Sequence, residues 1–318
     1  MGLKYHVKEQ DNRMKTLLLH KWVAVLCILV GASSYGMLSP TIKLAFQAGV
    51  TEGNVTSAQV TMGALIMWFL VLITPAARRS PFTGPWIKQA LIGMSGLSLT
   101  TIFYNRTLSE LDASLAIVLL FQFTWITIVM ECIADRKWPT RYQGGAIAVV
   151  MAGTILSVNL LTADMSRFSA MGVVCGLASG FTYSLFLFLA GRVESEQHPF
   201  LKSAWMLTAG LVVIYLFYPP VFLIGGAPET GSLVLWGLGL GLLGQVIPTV
   251  AFLIGIPRTG ASLAAMAGAM ELPVALIGAY LLLGESITGI QWLGMGLILA
   301  GIALSELKHT EGDAKSLS

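Results

Sequence analysis

The sequence predicts an all-α integral membrane protein of ten transmembrane helices, arranged as two inverted five-helix repeats. Three observations predict it: a shortage of charge, ten apolar runs with one-sided flanking charge, and identities that recur at one constant offset. Of 318 residues, 55% are hydrophobic and 11% are charged. A soluble surface ordinarily carries about 25% charged residues, so soluble, disordered and nucleic-acid-binding classes are excluded. The net charge of +3 is informative through its position rather than its size. Cys27, Cys132 and Cys175 lie inside apolar runs without metal-ligand spacing. They read as small apolar filler, with neither a disulfide nor a zinc site implied.

A helix needs about 20 apolar residues to cross the hydrocarbon core. Runs of this kind occupy residues 22–45, 55–75, 86–105, 113–134, 142–161, 170–192, 200–224, 233–254, 261–283 and 290–307. The polar stretch 1–21 is too long for the charged start of a secretory signal, and no small-residue cleavage site follows the first run. That run is therefore expected to be retained. The connections are short, and several carry breakers: Ser80-Pro81, Gly84-Pro85, Gly225-Gly226 and Ala227-Pro228. With the N-terminus in the cytoplasm, 16 Lys and Arg residues flank the cytoplasmic ends, against 3 (Lys43, Arg106 and Arg167) on the other side. This asymmetry is the positive-inside pattern. It predicts a multi-pass cell-membrane protein with both tails, 1–21 and 308–318, in the cytoplasm.

An internal repeat accounts for the count of ten. Displacing the sequence by 148 residues aligns Cys27 with Cys175 and Tyr35 with Tyr183. Gly93, Gly96 and Thr101 meet Gly241, Gly244 and Thr249. Ala113-Ser114-Leu115-Ala116 meets Ala261-Ser262-Leu263-Ala264. Thr140 and Gln143 meet Thr288 and Gln291; Ala152-Gly153 and Leu156-Ser157 meet Ala300-Gly301 and Leu304-Ser305. The units are 22–161 and 170–307. Five helices are an odd number, so the second unit enters the membrane from the opposite side. Inverted repeats suit alternating access, although an inverted-repeat channel has the same plan.

The segment Leu283-Gly284-Glu285-Ser286-Ile287-Thr288, followed by Gln291-Trp292-Leu293-Gly294 and Leu297-Ile298-Leu299-Ala300-Gly301, resembles the repeat ending of the EamA-type branch of the drug/metabolite transporter superfamily. The family's Glu-Pro in the ninth helix stands here as Glu271-Leu272-Pro273, and the Trp-Gly of the first helix as Tyr35-Gly36. The first repeat has Ala134-Asp135-Arg136-Lys137 where the family has Leu-Gly-Glu. The resemblance covers nearly the whole chain. It implies secondary transport of small organic metabolites such as amino acids or drug-like compounds, with export favoured. A facilitative channel or an importer for a small polar solute stays open.

Ionisable groups within apolar runs are the first candidates for chemistry. A central charge costs about 3 kcal/mol on insertion scales, and protonation removes that cost. Glu271 can therefore bind a cationic group or carry a coupling proton, or it is a protonated side chain bonded to a carbonyl freed by Pro273. Ala264, Gly268, Ala275 and Gly278 share its helical face, which implies close packing or a cavity wall. Glu131, near the cytoplasmic end of its run, shares a face with Thr124 and Thr127. The offset makes Phe123 the mate of Glu271, so Phe123 and Thr127 are expected at the cavity with Glu131 below them. Gln122 is then about 100° around the helix. Glu131 can instead reach Arg136 or Lys137. Tyr35 and Tyr183 either meet substrate or pack the core. Tyr104, Trp125, Gln245 and Asn105 are candidates of the same kind, Asn105 lying near the outer face where water reaches it. Pro40, Pro248 and Pro273 are expected bends beside a cavity. The glycine series Gly172, Gly176 and Gly180, with Gly237 and Gly241, reads as close helix contact.

Enzyme motifs are missing from the sequence: there is no phosphate loop, His-Glu-x-x-His or Gly-x-Ser-x-Gly. His6, His20, His198 and His309 all lie outside the apolar runs. The expectation is a non-enzyme without cofactor or metal, driven by an ion gradient or by the substrate's own gradient. Its expected partners are a small-molecule substrate, the lipid bilayer and a coupling proton, with a homodimer left open and no nucleic acid.

Overall fold

In an apolar solvent each backbone N–H and C=O must be satisfied within the protein, and helices do this locally. The computed structural model describes residues 2–78, 82, 84–111, 113–136, 138, 141–157, 169–193, 196–220, 223, 230–284 and 286–316. The side chains at 2–21, 113–115, 142, 230–231 and 304–316 fall outside that description. Several expectations therefore fall there too: those at Ser80-Pro81, Lys137, Thr140, residues 158–161, Arg167, residues 225–228 and Glu285, and those on the side chains of Ser114, Leu115, Leu304 and Ser305.

The described residues are helical throughout, apart from turns and connections. The helices are α1 (Gly2–Gln47), α2 (Glu52–Ile73), α3 (Trp86–Ile92), α4 (Leu99–Glu110), α5 (Ala113–Leu120), α6 (Phe123–Asp135) and α7 (Arg141–Ser157). They continue as α8 (Ala170–Arg192), α9 (Pro199–Phe217), α10 (Thr230–Gly241), α11 (Ile247–Thr259), α12 (Ala261–Gly268), α13 (Glu271–Leu283) and α14 (Gly289–Ser316). A π-helical segment, Gly93–Ser98, joins α3 to α4, and a second, Leu242–Val246, joins α10 to α11.

Seven segments among the described residues are long and apolar enough to cross a membrane: Trp22–Gln47, Glu52–Ile73, Ala116–Asp135, Ala170–Arg192, Pro199–Phe217, Ser232–Thr259 and Ala261–Leu283. Shorter apolar helices lie at Gln143–Ser157 and Gly289–Ala303. The run expected at 86–105 is helical but not among the seven. Its Gln, Ser, Thr and Asn residues dilute it, and several of them face the interior. Two boundaries also differ from expectation. The run at 200–224 stops at Phe217, because Pro219 and Pro220 cannot continue a helix. The first helix begins at Gly2 rather than Trp22, and the last runs on to Ser316, so both polar tails are helical.

The offset of the repeat reappears in the helix breaks. α5 and α12 begin 148 residues apart (113 and 261), as do α6 and α13 (123 and 271), and the π segments lie at nearly the same interval. Elements of 22–161 also pack on those of 170–307 throughout: α1 on α11 and α13, α2 on α9 and α10, α4 on α8, α6 on α12, α7 on α14. The glycines permit this closeness. A Cβ built on Gly153 would lie 2.8 Å from the Gly294 carbonyl oxygen, and one on Gly241 would lie 2.8 Å from that of Gln59. Gly172, Gly176, Gly180 and Gly237 likewise abut neighbouring helices, in keeping with their reading as contact positions. Polarity is turned inside out. On α2, Leu65, Phe69 and Leu72 are exposed while Thr56, Ser57 and Gln59 are buried. Such a distribution suits lipid as the surrounding solvent.

Candidate functional site

Pro273 has no N–H, and its ring keeps the residue-269 carbonyl from the usual bond four residues on. The Leu272 N–H donates to the Ala269 carbonyl instead, at 3.2 Å, and the amides of Ala269 and Met270 also bond three residues back, at 3.1 Å each. The span 261–283 is thereby interrupted at its middle, and Glu271 is the first residue after the break. In the first half the break at Phe121–Gln122 is made the same way without a proline, by the Thr124 N–H donating to the Phe121 carbonyl at 3.2 Å.

Glu271 faces a cavity lined by Tyr35, Leu38, Gln59, Leu97, Thr100, Thr101, Tyr104, Asn105, Leu120, Tyr183, Gly244 and itself. The space open to the centre of a water molecule is about 40 Å³, enough for one to a few waters. Both helix breaks and both π segments reach its wall, through Leu120, Glu271, Leu97 and Gly244. Interruptions of this kind change which side chains face inward. After the first π segment, Thr100, Thr101, Tyr104 and Asn105 turn to the cavity, and the Ser98 hydroxyl satisfies the Gly93 carbonyl at 2.7 Å. Gly36 brings the α1 backbone onto α13, since a Cβ there would lie 2.5 Å from the Glu271 carbonyl oxygen. Its neighbour Tyr35 thereby reaches the cavity.

The polar wall is ordered. Asn105 donates through Nδ2 to Thr56 Oγ1 at 2.9 Å. The hydroxyls of Tyr104 and Ser39 are 2.9 Å apart, and those of Thr100 and Thr182 are 2.8 Å apart. Gln245 lies behind the wall and donates through Nε2 to Thr101 Oγ1 at 3.3 Å. The Tyr35 and Tyr183 rings meet edge-on at 5.8 Å, and Phe123 backs Tyr183 at 4.6 Å. Glu271 is 3% exposed, and its Oε2 has no hydrogen-bond partner. Among the described lining residues it is the sole acid, and none is Lys, Arg or His.

The structure thus brings together Glu271, Tyr35, Tyr183, Tyr104 and Asn105, with Phe123 and Gln245 directly behind. The other expected residues lie elsewhere. Thr127 is buried and donates to the carbonyl of Phe123 at 2.7 Å in its own helix. Trp125 is 40% exposed, and its Nε1 donates to Gln122 Oε1 at 2.8 Å, so this pair sits on an outer face. Glu131 caps α12: its oxygens accept from the amides of Ala261 (2.9 Å) and Ser262 (3.0 Å), and from the Ser262 hydroxyl. It does not turn to Arg136. Beside it, Asp135 pairs with Arg192 of α8. Asn105, expected in water, is 1% exposed. Pro40 packs on Gly278, and Gly268 lies against Phe123, so the small-residue stripe on α12–α13 is close packing. Pro248 is buried at the start of α11.

Sequence reasoning missed Gln59, Thr100 and Thr101. Gln59 had a signal, as an amide within an apolar run. It also missed a polar cluster at the opposite helix ends from Glu131. There Glu52 accepts from the hydroxyls of Ser109 (3.0 Å) and Tyr218, and pairs with Arg106 at 3.4 Å. Glu110 joins it by pairing with Arg106 at 2.5 Å and accepting from Ser169 at 2.9 Å.

The model of the EamA-like transporter family matches this chain twice, over residues 22–159 and 170–307. The chain belongs to the EamA-like transporter family. It is accordingly a multi-pass membrane transporter. This EamA-like chain is 26% identical to the uncharacterised transporter YcbK of Bacillus subtilis, over 88% of the chain and 93% of that protein. It is 24% identical to the threonine/homoserine exporter RhtA of Salmonella typhimurium, over 88% and 90%. One crystal structure shares the EamA-like fold with a TM-score of 0.67 at 18% identity, covering 88% of this chain and 96% of the other.

Proposed function

We propose that this protein is a secondary active exporter of small organic metabolites in the cell membrane. It has ten transmembrane helices in two inverted five-helix repeats, both termini are cytoplasmic, and it works by alternating access around the Glu271 cavity. The observation that carries the reading is the convergence of interrupted helices from both halves on one buried carboxyl. Interrupted helices at the interface of repeats are where transporters place substrate and coupling-ion sites. The double family match and the recurrence of breaks at the 148-residue offset support the repeat. The name of the relative RhtA supports outward transport. Glu271 serves as the acid that takes either a cationic group or a coupling proton, Tyr35, Tyr104 and Tyr183 orient what binds, and Glu131 clamps α6 to α12.

Counterflow in proteoliposomes tests this. Vesicles preloaded with unlabelled substrate should draw in labelled substrate against its gradient, and the initial rate should saturate. Flux that rises linearly with concentration and shows no counterflow would establish a channel instead.

A further inference from the structure

Three buried side-chain oxygens without hydrogen-bond partners belong to residues lining this one cavity: Glu271 Oε2, Gln59 Oε1 and the Tyr183 hydroxyl. An oxygen left unpaired in the interior forfeits the hydrogen bonds it would make in water, so a ligand that supplies donors is favoured there. Several donors on the same wall are already engaged. The hydroxyls of Thr100 and Thr101 donate to the carbonyls of Gly96 and Leu97, at 2.7 and 2.9 Å, and the amide of Asn105 reaches Thr56. The donors that remain, the hydroxyls of Tyr35 and Tyr183 and the Gln59 amide, are all neutral, and none of the described lining residues is Lys, Arg or His.

A primary ammonium group has three N–H donors and no acceptor. It is close to water in size, so it fits a space that admits water, whereas a quaternary ammonium has no N–H and leaves these oxygens unpaired. Its charge balances an ionised Glu271. A carboxylate meets the opposite condition: like charge from an ionised Glu271, with no Lys, Arg or His among the described lining residues to offset it. We propose that the cavity selects a primary ammonium group and rejects a free carboxylate, so that the transported class is small primary amines rather than amino acids. The inference rests on the reading of the Glu271 cavity as the substrate site, and it departs from the amino acids in the name of RhtA.

L-threonine and L-threoninamide share a side chain and an amine and differ at the carboxyl, which makes them a matched pair of probes. Thermal stabilisation and counterflow are measured for each with the purified, reconstituted full chain. Threoninamide should raise the melting temperature and exchange across the membrane, and threonine should bind more weakly by on the order of tenfold or more. Tyr183→Phe, which removes one of the three oxygens with little change of shape, should weaken threoninamide binding while leaving the size-exclusion profile unchanged. Equal binding of the two probes, or binding of neither, overturns the ammonium selection. So does stabilisation by sodium chloride alone, which would mark a metal-cation site. Undiminished threoninamide counterflow by Glu271→Gln overturns the substrate-site reading itself.

Discussion

Glu271 and Glu131 are both carboxyls within apolar spans, and the number of donors around each separates their roles. Glu131 has two amides and a hydroxyl, whereas Glu271 Oε2 has no partner. A buried carboxylate without donors must take a proton or a cation. Glu271→Gln keeps the shape and removes the charge. The variant is expected to express and fold normally, yet to lose most transport or its pH dependence. The check is the transport rate of wild type and variant across roughly pH 5.5 to 8.5, the range open to a buried carboxyl; Tyr35, Tyr104 and Tyr183 are the titratable groups facing it. Coincident profiles would make Glu271 structural. Glu271 and the three tyrosines were legible in the sequence because polar side chains stand out in apolar runs. Thr100 and Thr101 were not, because threonines commonly bond back to their own helix. Trp125 stood out for its indole N–H, which it turns to Gln122 rather than to the cavity.

At the scale of elements, one capping carboxylate ties α6 to α12, beside the packing of Phe123 on Gly268. An N-terminal cap contributes about 0.5–2 kcal/mol, and a carboxylate also complements the helix dipole. Glu131→Ala removes the cap and, with it, a tie between the two halves of the chain. It should speed the labelling of a cysteine placed at Thr259 by a membrane-impermeant maleimide severalfold, since about 1 kcal/mol is a factor of five. An unchanged labelling rate would mean that the cap stabilises α12 without governing access. The placement of α5 against α6 and of α12 against α13 follows from breaks that hydropathy cannot register. An apolar run reads the same whether its hydrogen bonds close over three residues or four. The constant offset was legible, because identities such as Gly93 with Gly241 sit where helices approach closely.

At the scale of the whole molecule, composition alone indicated an all-helical membrane protein, because lipid leaves few alternatives for the backbone. The count of spans was harder to read. The run at 86–105 is diluted by polar residues, among them Thr100, Thr101 and Asn105 on the cavity wall and Lys88 and Gln89 away from it. Orientation rests on the distribution of Lys and Arg. A reporter active only outside the cytoplasm, fused after Ser318, should give no signal. A strong signal there would mean that the crossings are miscounted and odd in number.

The matched interruptions at 121–122 and 269–270 have a mechanical consequence. An unbroken helix is a stiff rod, and a tilt imposed at one end arrives undiminished at the other. At each interruption the four-residue bonds have already given way to three-residue ones, so bending there sacrifices less than bending elsewhere. Each rod becomes two levers that share a joint beside the cavity. One end can swing while the other holds still, and a wall that stays shut on one face at every moment does not short-circuit the gradient across it.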